Sequence, residues 1–200
     1  MTSRGFLSNN EISQNEIRLT NNISLVKGNI FLTPMKTITV TVNCVGVMGK
    51  GIALSAKNLF PKLEEFYKKL CYDKEMIMGR PILYKEKNRE TYVSKNNYKS
   101  ILLFPTKTHY RYDSPIEGIK IGLKWLVDNY EEQEITSLAI PALGCGNGGL
   151  KWKDVGPILF EHLNKMKMRI QIYYPEEIDN IEHLTFQYLK KKKSTLLDYK

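Results

Sequence analysis

Short apolar strands alternate with amphipathic helices along most of this sequence, and no other feature constrains the fold as strongly. Residues 37–42 are β-branched at every position, as in a buried strand. Residues 114–130 show helical periodicity, with Ser114 predicted to cap the helix and Pro115 to occupy its first position. Because parallel strands need long crossover connections, this alternation predicts an α/β sandwich with a parallel or mixed sheet.

The same patterns give bounds for the predicted elements. The predicted strands are residues 23–26, 37–42, 81–84, 91–93, 100–104, 137–140 and 169–174, with 81–84 and 91–93 pairing as a hairpin and Pro105 closing 100–104. The predicted helices are residues 52–59, 62–71, 114–130, 153–166 and 176–193.

The length of 200 residues suits one domain of ordinary size. Residues 1–22 are polar and rich in Asn, Ser and Glu, which predicts a leader that is frayed or only lightly docked on the domain. No internal repeat or linker follows, so residues 23–193 are predicted to form a single domain with a C-terminal helix.

Composition narrows the class of protein. Hydrophobic residues make up 42% and charged residues 26%, as in soluble globular chains, and no apolar stretch approaches the ~18 to 20 residues of a membrane span. The formal net charge of +9 favours anionic partners such as nucleic acid, although the run 190–193 supplies four of those charges. Three cysteines without metal-type spacing predict neither a zinc site nor a disulfide framework, and hence a cytoplasmic protein.

Two glycine-rich loops follow buried strands and precede helices. The first, residues 43–51, contains Gly46, Gly49 and Gly51, and the second, residues 141–149, contains four glycines. Glycines let the main chain approach a phosphate closely, and the carboxyl ends of strands with the following helix N-termini form the ligand edge of an open sheet. Neither loop has the spacing of a nucleotide-hydrolase phosphate loop or of a dinucleotide fingerprint. The pair therefore predicts a binding site for a phosphorylated ligand.

These loops resemble the two ADP-ribose-binding loops of macrodomains. The matching segments are Val-Asn-Cys-Val-Gly-Val-Met-Gly-Lys-Gly-Ile-Ala-Leu at 42–54 and Pro-Ala-Leu-Gly-Cys-Gly-Asn-Gly-Gly-Leu-Lys-Trp at 141–152. A third segment, Phe-Pro-Thr-Lys-Thr-His at 104–109, resembles the motif that carries the catalytic lysine in the DarG-like branch of the family. These antitoxins remove ADP-ribose from thymidine in DNA modified by a DarT toxin. The resemblance covers about residues 23–175 and implies a three-layer α/β/α fold with a mixed central sheet.

The resemblance also implies a set of site residues. Asn29 stands where many macrodomains have an acid that meets the adenine amino group, and Asn43 is expected at the distal ribose, with a catalytic role. The expected ADP-ribose contacts are Asn29, Ile30, Asn43, Val45, Gly46, Val47, Met48, Gly49, Lys50, Gly51, Ile52, Ala53, Pro141, Leu143, Gly144, Cys145, Gly146, Asn147, Gly148, Gly149 and Leu150.

Lys107 is the expected catalytic residue. An amine in a partly desolvated pocket can attack the anomeric carbon, whereas a cationic lysine can stabilise the departing base, and the sequence does not separate these roles. Beyond it, His109, Tyr110, Arg111 and Tyr112 are candidates for contact with single-stranded DNA, because aromatic and guanidinium planes stack on bases. Cys145 is expected to be a small packing residue rather than a nucleophile.

The pattern departs from the family at one position. A more distant branch completes catalysis with an aspartate that aligns with Gly148, so this chain lacks that acid. The leading hypothesis is a hydrolase that needs no metal or cofactor and removes ADP-ribose from thymidine in DNA, with a DarT-like toxin as a further partner. The alternatives are a module that binds ADP-ribose without turnover and an enzyme that acts on ADP-ribosylated protein carboxylates.

Overall fold

Seven strands form one mixed sheet in the computed structural model, which describes residues 16–85, 100–178 and 180–191. The strands are β1 (Glu16–Arg18), β2 (Ile23–Val26), β3 (Thr37–Asn43), β4 (Ile82–Tyr84), β5 (Ser100–Lys107), β6 (Ser137–Pro141) and β7 (Arg169–Tyr173). Their order across the sheet is β1-β2-β7-β6-β3-β5-β4.

The five inner strands run parallel, and β1 and β4 pair antiparallel at the two edges. Parallel strands are buried on both faces, and residues 101–104 of β5 and 138–140 of β6 are accordingly continuous apolar runs. In β3, threonines alternate with Ile and Val, and these threonines are largely buried as well. This arrangement confirms the predicted mixed sheet. It also places the carboxyl ends of β2, β7, β6, β3 and β5 along one edge.

Helices cover both faces of the sheet. They are α1 (Gly51–Leu59), α2 (Pro61–Tyr72), α3 (Ile116–Asn129), α4 (Trp152–Leu163) and α5 (Phe186–Lys191). Successive residues of β5 enter opposite cores: Phe104 packs with residues of α3 and α4, whereas Leu103 packs with residues of α1 and α2. The three-layer α/β/α architecture is therefore confirmed.

The sheet begins before residue 23, the predicted start of the domain. Glu16–Arg18 pairs with β2, and the Glu16 carboxylate accepts a hydrogen bond from the Ser24 hydroxyl at 2.5 Å. Leu19 packs against the core. A polar segment can still form an edge strand because only one side of it must be hydrogen-bonded, so composition alone placed this boundary too late.

β5 continues through Pro105 to Lys107 instead of ending at Phe104. Within the described residues, β4 pairs with β5 between Ile101 and Leu103, and Pro105 has a strand neighbour on the β3 side alone. A proline without an N–H is tolerated at such a position. The strand therefore carries Lys107 at its end.

Two helix predictions also need correction. α3 begins at Ile116 with Pro115 at the cap, and the Ser114 side chain makes no capping bond. The Ser114 N–H instead donates to the Gly148 carbonyl at 2.9 Å. In place of the predicted helix 176–193, the described residues form a 3-10 turn at Ile181–Leu184 and then α5. The predicted strand 91–93 lies outside the described residues.

Neither a membrane span nor a metal cluster occurs in the described part of the chain. Its helices lack the length and apolar character that a bilayer crossing needs. The same residues hold no group of three or more His, Cys, Asp or Glu side chains that is arranged to bind a metal ion.

Candidate active site

A cleft of about 760 Å³ lies at the carboxyl ends of the five parallel strands. Segments that follow every one of these strands line it: 28–31 after β2, 173–176 from the end of β7, 141–148 from the end of β6, 43–53 after β3 and 106–110 at the end of β5. Five adjacent strand ends span four inter-strand spacings, or roughly 19 Å. The cleft is therefore long enough for an extended ligand with several distinct groups.

The Asn43 side chain organises the first loop from within. Its Oδ1 accepts hydrogen bonds from the N–H groups of Val45 at 3.0 Å and Val47 at 3.3 Å, and its Nδ2 donates to the Val47 carbonyl at 2.6 Å. Asn43 is buried, yet it lines the cleft. The second N–H of its amide is the group that remains for a ligand hydroxyl.

Tyr67 of α2 supports the same loop from below. Its hydroxyl donates to the Asn43 main-chain carbonyl at 2.7 Å and lies 3.0 Å from Asn43 Oδ1. Burial raises the pKa of Tyr67 well above its ordinary value, and the nearby Cys71 thiol adds to the shift. The phenol therefore stays protonated and keeps its donor.

The N-terminus of α1 faces the cleft. Gly51, Ile52 and Ala53 line it, and Lys50 is the N-cap residue without a side-chain capping bond. The first N–H groups of a helix have no partner within the helix, and its dipole favours negative charge there. This end of α1 suits a phosphate.

The second loop forms a 3-10 turn at Gly146–Gly148. Gly146 has φ +69°, and a Cβ at this position would meet no atom of the described residues within 4 Å, which leaves the main chain open to a ligand. Burial, followed by the Asp154 charge, raises the pKa of Cys145 to about 12. A thiol with that pKa is neutral near pH 7, which fits the packing role expected for Cys145.

Lys107 lies between the two loops. Its Nζ donates a hydrogen bond to the Asn147 carbonyl, and its side chain is half-buried. A Cβ on Gly148 would collide with the Ser114 hydroxyl and lie 3.9 Å from Lys107 Cε. A side chain at position 148 would therefore require the Ser114 hydroxyl to move, whereas glycine leaves it in place. The Ser114 hydroxyl is buried and has no hydrogen-bond partner among the described residues.

The opposite end of the cleft, formed by β2 and β7, is aromatic. Asn29 lines it, and its Oδ1 accepts the Phe31 N–H at 3.0 Å, which caps the 3-10 turn Ile30–Leu32. Phe31, Tyr173 and Tyr174 also line this end. Flat aromatic side chains of this kind suit a nucleobase.

Most of the predicted ligand-binding residues line the cleft, and some only flank it. Those that line it are Asn29, Ile30, Asn43, Val47, Gly49, Lys50, Gly51, Ile52, Ala53, Lys107, Tyr110, Pro141, Gly144, Cys145, Gly146, Asn147 and Gly148. Those that do not are Val45, Gly46, Met48, His109, Arg111, Leu143, Gly149 and Leu150. Met48 and Leu143 instead pack their side chains into the two cores.

Sequence reasoning missed several lining residues. They are Gly28, Phe31, Thr41, Val42, Thr106, Ala142, Tyr173, Tyr174, Pro175 and Glu176. The last four lie at the end of the predicted strand 169–174 or just after it. Knowledge of the position of that strand in the sheet would have placed them at the ligand edge. Glu176 had been predicted to begin a helix and instead lies at the cleft.

The chain is similar to proteins of a known family. The sequence matches the Macro domain family over residues 40–159. The chain belongs to the Macro domain family. A Thermosipho africanus protein named DNA ADP-ribosyl transferase-DNA ADP-ribosyl glycohydrolase fusion protein is 46% identical to this macrodomain over an alignment of 171 residues. The alignment covers 81% of this chain and 44% of that protein.

Two further similarities lie in the same branch of macrodomains. The DNA ADP-ribosyl glycohydrolase of Thermus aquaticus is 37% identical over 156 residues, 78% of this chain and 42% of that protein. The structure described as Thermosipho africanus DarTG in complex with ADP-ribose has a TM-score of 0.82 at 45% identity, covering 87% of this chain and 47% of that one. This macrodomain thus matches less than half the length of each of these two named proteins.

Proposed function

We propose that this macrodomain is a hydrolase that removes ADP-ribose from thymidine bases of single-stranded DNA. The relatives named as DNA ADP-ribosyl glycohydrolases support the proposed reaction, and the related structure with ADP-ribose supports the ligand. The residues of this chain support it through their order along the cleft.

That order is the observation that carries the proposal. Along the sheet edge, the aromatic β2/β7 end comes first, the glycine loops after β6 and β3 follow, and Lys107 at the end of β5 comes last. ADP-ribose has the same sequence of groups: adenine, then a diphosphate, then the distal ribose. Each group therefore meets a side of the cleft with matching chemistry.

The two loops would hold the diphosphate mainly with main-chain N–H groups. Gly146 leaves the second loop open, and the α1 N-terminus at Gly51–Ala53 adds its dipole from the opposite side. Lys50 brings a positive charge to the same region. The distal ribose would then lie near Asn43, whose remaining amide N–H can donate to a hydroxyl.

Lys107 would act on the glycosidic bond beside that ribose. When the C–N bond to thymine breaks, its electron pair leaves with the base nitrogen, which takes up a proton, and water supplies the new hydroxyl on the anomeric carbon. The Lys107 amine can form a transient imine with the anomeric carbon of the opened ribose, or its cation can stabilise the charge on the departing base.

Replacement of Lys107 tests the catalytic assignment. We expect Lys107→Ala to lower the release of ADP-ribose from a modified single-stranded oligonucleotide by at least about 100-fold. Lys107→Arg separates the two roles, because arginine keeps the charge but does not form the imine. The readout is single-turnover release, with the affinity for free ADP-ribose measured by calorimetry to establish that the site is intact.

Lys124 provides the matched control, because it is an exposed lysine that pairs with Asp128 on the far surface of α3. Lys124→Ala should cleave at the native rate. Native activity in Lys107→Ala would contradict the assignment. Tight ADP-ribose binding without release by the native protein would favour a binding module, and release from modified glutamate but not from thymidine would favour a protein substrate.

A source of the modified DNA and a location in the cell are also part of the proposed function. The fusion of a DNA ADP-ribosyl transferase with a glycohydrolase in one relative supports a DarT-type transferase as the source of the modified DNA. We also propose a cytoplasmic location, which three free cysteines favour.

A further inference from the structure

A stack of aromatic and cationic side chains lies immediately beyond Lys107. The His109 ring stacks on Tyr110 with centroids 4.3 Å apart and lies 5.3 Å from the Tyr112 ring. The Arg111 guanidinium lies 5.5 Å from the centroid of Tyr110. We call residues 108–112 the aromatic segment.

The aromatic segment is fixed to both glycine loops. At its beginning, the Thr108 carbonyl accepts the N–H of Cys44 in the first loop at 3.2 Å. Just after its end, the Ser114 N–H donates to the Gly148 carbonyl of the second loop at 2.9 Å. The segment therefore bridges the two loops at the Lys107 end of the cleft.

Hydrogen bonds within the segment also fix its turn. The Tyr112 N–H donates to the His109 carbonyl at 3.1 Å, and the Arg111 N–H donates to His109 Nδ1 at 3.3 Å. These bonds hold the three rings close together, so their faces are arranged before a ligand arrives. A prearranged surface loses little conformational entropy on binding.

The rings at the two ends of the stack are accessible. Tyr112 is 63% exposed and Tyr110 is 44% exposed, and Tyr110 also lines the cleft. Tyrosine side chains with such large exposed fractions do not belong to the hydrophobic core. Tyr110 therefore belongs to the wall of the cleft, and Tyr112 is connected to it through the His109 ring.

We propose that the aromatic segment is a stacking platform for the unmodified bases that flank the target thymidine in single-stranded DNA. This inference rests on the proposed function, because a thymidine bonded to the anomeric carbon at Lys107 must direct its flanking nucleotides past this segment. Every base has a π-face, so stacking on Tyr112 and Tyr110 needs no particular sequence.

Charge in this region favours base stacking over phosphate binding. Arg111 is the cation of the segment, and the adjacent Asp113 carboxylate lies beside Gly149. These opposite formal charges sum to zero over residues 108–113, so the platform adds no net charge that would attract phosphates. The contribution of Tyr112 should therefore persist at high salt, unlike a contact made through counterion release.

A comparison of two substrates tests the platform. One is ADP-ribosyl-thymidine mononucleotide, and the other is a single strand of roughly ten nucleotides with one modified thymidine at its centre. We expect the native protein to cleave the oligonucleotide with the higher kcat/KM. Tyr112→Ala should lose about tenfold more kcat/KM on the oligonucleotide than on the mononucleotide, because one stacked base contact is removed.

Two further variants isolate the cause. Tyr112→Phe keeps the ring and should retain the preference for the oligonucleotide. Tyr72→Ala removes a tyrosine of α2 that is 88% exposed and does not line the cleft, so it should also retain the preference. Calorimetry with free ADP-ribose verifies that each variant is folded.

The outcomes separate this inference from the function on which it rests. Equal kcat/KM for both substrates in the native protein, or an equal loss on both in Tyr112→Ala, would overturn the platform and leave the glycohydrolase intact. Release from neither substrate by a protein that binds ADP-ribose would overturn the proposed function itself.

Discussion

Gly146 is the residue at which the second loop is most open, since its α-carbon faces empty space at φ +69°. We expect Gly146→Glu to abolish ADP-ribose binding, because a carboxylate would occupy the proposed place of a phosphate. Gly146→Gln is the matched control, since both side chains cost roughly 1 kcal/mol in this backbone conformation but only one is charged. Calorimetry should give a much weaker affinity for the glutamate variant, and equal affinities would contradict the phosphate placement.

The roles of individual site residues were only partly predictable. Glycine spacing identified both loops, but it did not reveal that Asn43 holds the first loop together by three hydrogen bonds of its own. Nor did it reveal that the Ser114 side chain, from a distant part of the chain, lies directly against Gly148. Such contacts depend on tertiary packing, which a local pattern does not contain.

α2 and the first loop are joined through Tyr67. Tyr67→Phe removes the hydrogen bonds to Asn43 and leaves a buried carbonyl without this donor, which should lower the free energy of unfolding by ~1–3 kcal/mol. A loosened loop should also weaken ADP-ribose binding by several fold. Chemical denaturation and calorimetry measure the two effects, and Tyr72→Phe on the exposed end of the same helix should show neither.

An unchanged affinity in Tyr67→Phe would indicate that the loop keeps its shape without the hydroxyl.

At the scale of elements, the element types were predictable because buried strands and amphipathic helices have clear periodicities. The residues at which elements end were less predictable. Proline usually ends a strand, but β5 continues past Pro105 because β4 no longer pairs with it there.

The limits of the whole domain give a prediction of their own. A chain that begins at residue 16 keeps β1, whereas one that begins at residue 23 loses its pairing with β2 and the Leu19 contact with the core. We expect the shorter form to have a lower melting temperature than the form beginning at residue 16. Equal melting temperatures would mean that β1 adds nothing to stability and would restore the boundary at residue 23.

The hydrogen bonds that shape the first loop run entirely within the protein, from Asn43 to its neighbours and from Tyr67 to Asn43. In the proposed reaction, the nucleotide held by that loop leaves chemically unchanged apart from its anomeric carbon. A prebuilt grip on this portion retains product as firmly as substrate. Accumulated free ADP-ribose should therefore inhibit competitively, and its departure should limit the turnover rate.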